Sequence, residues 1–409
     1  MKMTLWSDDE SQMLLSLKES GKSYKEISIL LQNSFGNRIY TENSCKKKWN
    51  DTDWGAFTAQ KQQKIEKLEE YEDLEHEKQK IINTTLVNNE KMLKKEEART
   101  QVIIDHCKSA IYRLPKPKKS NTVYSYAPSS KKYKAEHVGI ILSDLHIGEE
   151  FTMQETGGLS EYNIDIFKQR LERLKNTTSE IIERHRNMYQ LPHLHIFCLG
   201  DIVAGSVGSG AWNDNYVRLS IYDQIFHGAE ALRDVISTWS HMFEKVSFYG
   251  VSGNHGRVGK RGQEKISTNW DRIIYNHVNI SLENYPNIEW FIPEAWWLQV
   301  PIQGHNFYLC HGDGIRGSMG IPYYGVERAE SKIAGLMDQK PDYMLMGHFH
   351  NPAEIRTNSA RIIMNGSFVG GDMYSLKDLG RGCVPEQKIF GIHKNKGITW
   401  TYNVYLNKD

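Results

Sequence analysis

Five apolar runs in this chain end in the same way, with Asp, Asn or His standing next to Gly. Their sequences are GIILSDLHIG, IFCLGDIVAG, YGVSGNHGR, YLCHGDG and MLMGHFHNP. The polar residues that stand at these ends are Asp144, His146, Asp201, Asn254, His255, His311, His348 and His350. A short apolar run bounded by Gly predicts a buried strand. Each polar group should therefore lie at the carboxyl end of a strand.

This arrangement predicts an α/β fold with a site along one sheet edge. Amphipathic helices are predicted near 163–187, 217–243 and 265–279, and such alternation of strands and helices is typical of a parallel sheet. Sheets of this kind bind ligands at the carboxyl ends of their strands, where Gly lets the backbone turn sharply. Later strands have fewer helices between them, which predicts a mixed sheet or two packed sheets.

The donor groups indicate a metal site of a particular kind. The pair His348 and His350 is a weak signal by itself, because alternate residues of any strand share a face. Together, the five strand ends offer imidazoles, carboxylates and an amide, with no thiolate among them. That donor set suits Mn²⁺, Fe or Zn²⁺ in oxygen-rich, near-octahedral geometry, and it does not suit a structural zinc site.

In this order, D-x-H, G-D, G-N-H, H-G-D and G-H-x-H resemble the motifs of the calcineurin-like metallophosphoesterases, over residues 138–370. The resemblance implies a four-layer α-β-β-α sandwich with two divalent metal ions between its sheets. The resemblance implies that the first ion is bound by Asp144, His146 and His350, and the second by Asn254, His311 and His348. Asp201 would bind both ions. His255 would contact the scissile phosphate and help to protonate the leaving oxygen.

The resemblance also implies a chemistry. Two metal ions about 3.5–4 Å apart clamp a phosphoryl group and lower the pKa of a bridging water; Mn²⁺ is expected, with Fe, Zn²⁺ or Mg²⁺ as alternatives. One position departs from the family, because Gly256 stands where an acidic residue usually orients the preceding histidine. The orienting group is therefore expected elsewhere, at His146 or Asp144. Asp313 of HGDG is expected to fix its loop rather than to bind metal.

Residues 1–57 predict a compact module of three short helices. Ser23 begins the second helix with a capping box, Gly36 ends it, and the third helix covers 42–49. The stretches LWSDDE, GKSYKEIS and CKKKW resemble a Myb/SANT-like helix-turn-helix domain, in which the third helix reads DNA. A protein-interaction module is the alternative. The predicted DNA contacts on this helix are Lys46, Lys47 and Lys48.

The rest of the chain divides into three segments. Residues 58–112 are rich in Glu, Lys and Gln without Pro, so they are either a solvated helical spacer or a coiled coil that forms a homodimer. Residues 113–136 mix Pro, Ser and Lys as a basic linker. Residues 137–409 form the predicted metallophosphoesterase domain. Basic residues that follow its G-N-H motif could hold flanking phosphates: Arg257, Lys260 and Arg261.

Composition limits the function classes further. The chain has 51 Lys and Arg against 50 Asp and Glu, so net charge does not argue for a nucleic-acid partner, and any basic surface must be local. The five Cys are odd in number and form no C-x-x-C pair, which argues against a disulfide framework and a zinc–thiolate site. No apolar h-region opens the chain, and no apolar run approaches the ~18 residues of a membrane span. An intracellular, cytoplasmic protein without a membrane partner is expected.

The motifs and the appended module together favour a DNA nuclease. Ser/Thr phosphatases of this superfamily carry G-D-x-x-D-R-G around the bridging carboxylate, whereas this chain has GDIVAGSVG, which disfavours a protein phosphatase. A DNA-reading module raises the local concentration of DNA, so a Mn²⁺-dependent DNA nuclease is the leading hypothesis, and it would suit a phage. The alternatives are a phosphatase or nucleotide phosphodiesterase localised by the N-terminal domain, and a non-catalytic DNA-binding protein, which the complete ligand set disfavours.

Overall fold

The computed structural model of the protein describes residues 6–36, 39–113, 135–205, 216–259, 266–317, 322–377, 380 and 382–407. The chain divides into two compact units, Met1–Glu97 and Ala98–Asp409. The five strand-end motifs all lie in the second unit, and the predicted DNA-reading helix lies in the first.

The first unit begins with three short helices, α1 (Asp8–Glu19), α2 (Tyr24–Phe35) and α3 (Glu42–Asp51). Each begins at a hydroxyl side chain that forms a capping box. In α2 this is the predicted Ser23, whose partner is Glu26, and the left-handed Gly36, at φ 58°, ends the helix. The buried centre is made of Leu14, Ile27, Leu31, Tyr40 and Cys45. The aromatic residues Trp6, Tyr24 and Trp49 are partly buried around this centre.

One long helix, α4, spans Trp54–Arg113 and so covers the whole segment predicted to be helical. Ion pairs one turn apart lie along its exposed surface, such as Lys78 with Glu75 at 2.7 Å; pairs of this kind stabilise a helix only weakly. In the second unit, Cys107 and Ile111 near its end are buried in the main apolar cluster. Within the described ranges, no helix combines the length and apolarity needed to cross a membrane.

The second unit contains a six-stranded sheet whose central strands are parallel. Its strands are β1 (His137–Leu142), β2 (His193–Cys198), β3 (Lys245–Gly250), β4 (Ile288–Phe291), β10 (Glu386–His393) and β11 (Gly397–Tyr405). Their order is β11-β10-β1-β2-β3-β4, with β1 to β4 parallel and β10 antiparallel to both neighbours. The crossover helices are α5 (Ile164–Arg186), α6 (Ile221–Ser240) and α7 (Trp270–Ser281). All three overlap the helices predicted from the sequence.

A five-stranded sheet completes the second unit. Its strands are β5 (Trp297–Ile302), β6 (His305–Cys310), β7 (Tyr343–Met346), β8 (Ala353–Arg356) and β9 (Arg361–Met364), in the order β5-β6-β7-β9-β8. The neighbours β6, β7 and β9 are parallel, and the edge strands β5 and β8 are antiparallel to them. Helix α8 (Tyr323–Leu336) connects β6 to β7, and the short helix α9 (Met373–Lys377) follows β9. The carboxyl ends of β6 and β7 therefore meet at one edge.

Three apolar clusters show how the elements of the second unit pack. The largest joins α5, α6 and α7 to the first sheet and includes Trp239 and Phe248. The second contains residues of both sheets, where Phe197 stacks on Phe307 with ring centroids 5.9 Å apart. The third joins the second sheet to α8 at Val326. The prediction of a mixed α/β fold is confirmed, and its two sheets pack face to face.

Candidate metal centre

The polar strand ends of both sheets meet in one contiguous group. Its members are the eight residues predicted from the motifs: Asp144, His146, Asp201, Asn254, His255, His311, His348 and His350. The first five follow β1, β2 and β3, and the last three follow β6 and β7. Contact between the sheets is direct, because His311 Nε2 lies 2.8 Å from Asp201 Oδ2 and 3.1 Å from Asn254 Oδ1.

Three overlapping sets of side chains in this group could hold metal ions. In each set, one ligand atom from every residue lies within 4.8 Å of the others. The sets are Asp144, His146 and His350; His146, Asp201 and His255; and Asp201, His311 and His348. Asp201 and His146 each belong to two sets, so neighbouring sets share donors.

The Nδ1 atoms of three imidazoles are held by acceptors that lie outside the group. The contacts are His311 Nδ1 to the Leu199 carbonyl oxygen at 2.7 Å, His255 Nδ1 to the Ala204 carbonyl oxygen at 2.8 Å, and His350 Nδ1 to Asp372 Oδ2 at 3.0 Å. An acceptor requires the proton on the nitrogen that faces it, so each ring offers a lone pair at Nε2 once that nitrogen has lost its proton, as it does when a metal ion binds. Metal-ligating histidines are usually fixed in this way.

Burial and charge compete at the two carboxylates. Asp144 and Asp201 are 0% and 1% exposed. Burial favours their neutral forms. It is outweighed at Asp144 by the hydrogen bond and charge of His350, and at Asp201 by the charge and hydrogen bond of His311, so the pKa values of both carboxyl groups lie below their ordinary range. Burial also opposes protonation of His311, yet the charge and hydrogen bond of Asp201 raise its pKa to about 10. Both carboxylates therefore stay ionised and can neutralise a bound cation.

Two other imidazoles of the group stay neutral. Burial lowers the pKa of His146 to about 3 and that of His348 to about 4, and neighbouring imidazoles add to the effect. His146 Nε2 faces His350 Nε2 at 3.1 Å, and His146 Nδ1 is buried without a hydrogen-bond partner in the described part of the chain. Deprotonated imidazole nitrogens beside ionised carboxylates are the donors that a divalent cation requires. The residues present therefore fit a metal centre.

The backbone of the strand ends is held in an unusual conformation. Of the six non-glycine residues with positive φ in the described ranges, five belong to the group, with φ from 46° to 70°: Asp144, His146, Asp201, His348 and His350. Such a conformation costs on the order of 1–3 kcal/mol for each residue and is typical of functional sites. The motif glycines clear the space, because a Cβ at Gly253 would lie 2.1 Å from Asp201 Oδ1 and one at Gly347 would lie 2.5 Å from Asp144 Oδ2.

Two buried carboxylates that the motifs do not include hold the group in place. Asp271 accepts hydrogen bonds from the backbone N–H groups of Asp201, Ile202 and Gly253 at 2.9, 3.0 and 2.9 Å, which ties the end of β2 to the end of β3. Burial and the charge of Asp201 raise the pKa of Asp271 to about 6. Asp372 holds His350 through the contact of its Oδ2 with Nδ1 of that ring. Each carboxylate lies at the start of a helix, where acidic residues are common, so the sequence offers no specific signal for either.

His255 is oriented by the backbone. Its Nδ1 contacts the carbonyl oxygen of Ala204, and not the His146 or Asp144 side chain that was expected to orient it. His146 instead meets the ring edge-on, with centroids 4.4 Å apart. A Cβ at Gly256 would lie 2.3 Å from the side-chain oxygen of the residue that caps α7, so the space that the family's acidic residue would need is already filled.

The predicted nucleic-acid contacts fall in different parts of the molecule. They are Lys46, Lys47, Lys48, Arg257, Lys260 and Arg261. The first two lysines are exposed on α3 and the third is half-buried there. Arg257 forms an ion pair with Asp313, which links the loops that follow β3 and β6. The last two residues, Lys260 and Arg261, lie outside the described residues.

Comparison with known proteins gives distant similarities. No known protein-family profile matches the chain. The SPbeta prophage-derived uncharacterized protein YonJ of Bacillus subtilis (strain 168) is 22% identical over 355 residues, which cover 84% of this chain and 79% of that protein. Vacuolar protein sorting 29 from Cryptosporidium parvum aligns over 66% of this chain and 92% of its own, with 13% identity and a TM-score of 0.32. A novel archaeal phosphodiesterase aligns over 65% and 99%, with 12% identity and a TM-score of 0.29. TM-scores this low do not establish a shared fold, so function is inferred from the site itself.

Proposed function

We propose that this chain is a metal-dependent phosphodiester hydrolase of the calcineurin-like type, whose layers form the four-layer α-β-β-α sandwich of that family. One observation carries the proposal. Ionised carboxylates and imidazole Nε2 atoms from five strand ends converge at the carboxyl edge of both sheets, as in the approach of His146 Nε2 to His350 Nε2 at 3.1 Å. Oxygen and imidazole donors in this arrangement suit a pair of divalent ions that hydrolyse phosphate esters.

The residues of the group take distinct roles in this proposal. Bound divalent ions, with Mn²⁺ proposed as the native metal, would supply a hydroxide at neutral pH and neutralise charge on the phosphoryl group. The proposed ligands are Asp144, His146 and His350 for one ion, Asn254, His311 and His348 for the other, and Asp201 for both. The chain itself provides the proton for the leaving oxygen. Because the Ala204 carbonyl oxygen engages Nδ1 of His255, a proton gained by that ring is carried on Nε2, which can deliver it to the substrate.

We further propose that the substrate is DNA. Support comes from the first unit, where Lys46 and Lys47 are exposed on α3, the helix that we propose as the counterpart of the DNA-reading helix of Myb/SANT-like domains. A protein similar to this chain is prophage-derived, and an enzyme that carries its own DNA module would suit a phage. We propose that the phosphates on either side of the cleaved bond are held by Arg257, Lys260 and Arg261. Arg257 would divide its charge between a phosphate and Asp313, with which it forms an ion pair.

The test uses the full-length protein with Mn²⁺ on linear, circular and single-stranded DNA, beside an aryl phosphodiester and an aryl phosphomonoester. We expect cleavage of DNA and of the aryl phosphodiester. Replacing Lys46 and Lys47 with Gln should slow DNA cleavage only, and should reduce the log–log salt slope of DNA binding by about 1.8, at about 0.9 for each phosphate contact. The matched control replaces Lys25 and Lys64 with Gln, because these lysines are exposed in the same unit. The control should keep the wild-type salt slope of DNA binding.

Other outcomes select among the alternatives. Hydrolysis of a phosphomonoester or a nucleotide with DNA left intact would make the protein a phosphatase or nucleotide phosphodiesterase. An unchanged salt slope in the Lys46 and Lys47 variant would contradict the DNA-reading role of α3 while leaving the hydrolase in place. A protein that binds metal and DNA but hydrolyses no ester would contradict the hydrolase and favour a DNA-binding protein without catalysis.

A further inference from the structure

A second histidine cluster lies at the opposite end of the first sheet. His137 opens β1, and His193 and His195 are the first and third residues of β2. Because alternate residues of a strand share a face, all three project from the face that carries Phe197 and packs against the second sheet. His137 precedes Asp144 by seven residues, which is about 23 Å of extended chain at ~3.3 Å per residue. The cluster is therefore separate from the candidate metal centre.

The three rings are close enough to share an ion. His137 Nδ1 lies 2.9 Å from His195 Nε2, and the ring centroids of His193 and His195 are 4.0 Å apart. One ligand atom from each residue lies within 4.8 Å of the others. Nitrogens bound to zinc at about 2.0–2.1 Å in tetrahedral geometry are about 3.4 Å apart. The spacings observed in the cluster, from 2.9 Å to at most 4.8 Å, lie on either side of that value.

Hydroxyl groups of β3 support two of the rings from outside. His195 Nδ1 lies 3.1 Å from the Tyr249 hydroxyl, and His193 Nε2 lies 2.9 Å from the Ser247 hydroxyl. A hydroxyl oxygen can accept from a ring N–H, which leaves the other ring nitrogen with its lone pair. His195 is 3% exposed, whereas His137 and His193 are half-buried, so an ion from solvent can reach the cluster.

The electrostatics of the cluster keep its rings neutral. Burial and the charge of Lys245 lower the pKa of His137 to about 4, and burial and the neighbouring His137 lower the pKa of His193 to about 3. Neutral imidazoles are the form that binds metal. The ammonium group of Lys245 is itself paired with Glu289 at 2.7 Å, which weakens its repulsion of a cation.

We propose that His137, His193 and His195 bind one Zn²⁺ ion, and that this ion joins the amino ends of β1 and β2. Three imidazoles leave a fourth position for water, in the tetrahedral arrangement that zinc prefers. An all-imidazole donor set suits Zn²⁺, Ni²⁺ and Cu²⁺, whereas the carboxylate-containing centre at the other end of the sheet suits Mn²⁺ as well. The two sites should therefore differ in metal selectivity.

The test measures the metal content of the metal-free, full-length protein after equilibrium dialysis against Zn²⁺. The wild type should retain one Zn²⁺ ion more than the His193→Gln variant. Loss of a residue that hydrogen-bonds a metal ligand lowers metal affinity about 10–100-fold. Loss of a ligand itself should therefore weaken Zn²⁺ binding at the cluster by at least about 100-fold. Zn²⁺ should also raise the unfolding temperature of the wild type by more than that of the variant, because an ion that binds only the folded state stabilises it.

Two further variants keep the test decisive. His137→Gln, at another half-buried position, should lose the same ion and covers the case in which His193→Gln does not fold. His305→Gln is the matched control, because His305 is half-buried on β6 and belongs to neither metal-binding group. Zn²⁺ content and thermal shifts that are equal in the wild type and both cluster variants would overturn the proposal. The comparison counts ions and needs no turnover, so it is independent of the outcome for phosphodiester hydrolysis.

Discussion

Replacing Asp372 with Asn removes the charge that holds His350 while leaving the size of the side chain unchanged. Asp372 is 3% exposed, its Oδ2 lies 3.0 Å from His350 Nδ1, and its Oδ1 accepts from the Ser375 N–H at 2.7 Å. A hydrogen bond to a charged group contributes about 1.5–3 kcal/mol. At about 1.4 kcal/mol for each factor of ten, its loss should weaken metal binding about 10–100-fold, which is the range found for partners of metal ligands.

The assay titrates Mn²⁺ into the metal-free Asp372→Asn variant and follows hydrolysis of an aryl phosphodiester as Mn²⁺ rises. Turnover should recover at saturating Mn²⁺, because every proposed ligand is still present. Ser375→Ala is the matched control, since it removes the hydroxyl but keeps the backbone N–H and the carboxylate of Asp372. Wild-type Mn²⁺ affinity in Asp372→Asn would refute this reasoning and would reduce Asp372 to a residue that caps α9.

Three further predictions follow from the site and the long helix. His255→Ala should keep the metals but lower turnover of DNA about 10²–10⁴-fold. The loss should be smaller on a nitrophenyl ester, because its leaving group needs little protonation. Equal losses on the two substrates would mean that His255 only positions the phosphate. Gly253→Ala should reduce both Mn²⁺ content and melting temperature, because its Cβ would lie 2.1 Å from Asp201 Oδ1, whereas Gly314→Ala, with no described atom within 4 Å, should change neither. If residues 58–112 form a coiled-coil homodimer, the side chain of Leu86, which is 60% exposed in the single chain, is available to pack at its interface. Leu86→Asp should then yield monomers in analytical ultracentrifugation. A monomeric wild type would mean that α4 is a solvated spacer.

The positions of the candidate ligands could be predicted because their signal is local. Each polar residue follows an apolar run within a few positions, and parallel neighbours such as β1 and β2 necessarily end at the same edge of their sheet. The helices were equally visible from their amphipathic patterns, as in the helix predicted near 163–187 and found at Ile164–Arg186. The glycines of these motifs fit the same pattern, since carboxylate oxygens lie where side chains at Gly253 and Gly347 would be.

The supporting groups could not be predicted because their contacts join distant parts of the chain. Asp271 reaches back 70 positions to the backbone N–H of Asp201, and Asp372 lies 22 positions beyond His350. The carbonyl oxygen of Ala204, which orients His255, belongs to the backbone and has no sequence signature at all. Only the packing of loops at the sheet edge brings such groups together.

The most direct test of the proposed function compares the Asp201→Asn variant with the wild type in Mn²⁺ content and in hydrolysis of an aryl phosphodiester. Asp201 contacts residues that follow strands of both β-sheets. Its Oδ2 lies 2.8 Å from His311 Nε2, and its Oδ1 accepts a hydrogen bond from the backbone N–H of His255 at 2.7 Å. We predict that the wild type binds two Mn²⁺ ions and hydrolyses the ester, and that the variant keeps its circular dichroism spectrum but loses hydrolysis, because an amide is a poor bridge between cations. A variant that binds two ions and turns over at the wild-type rate would contradict the proposed metal centre.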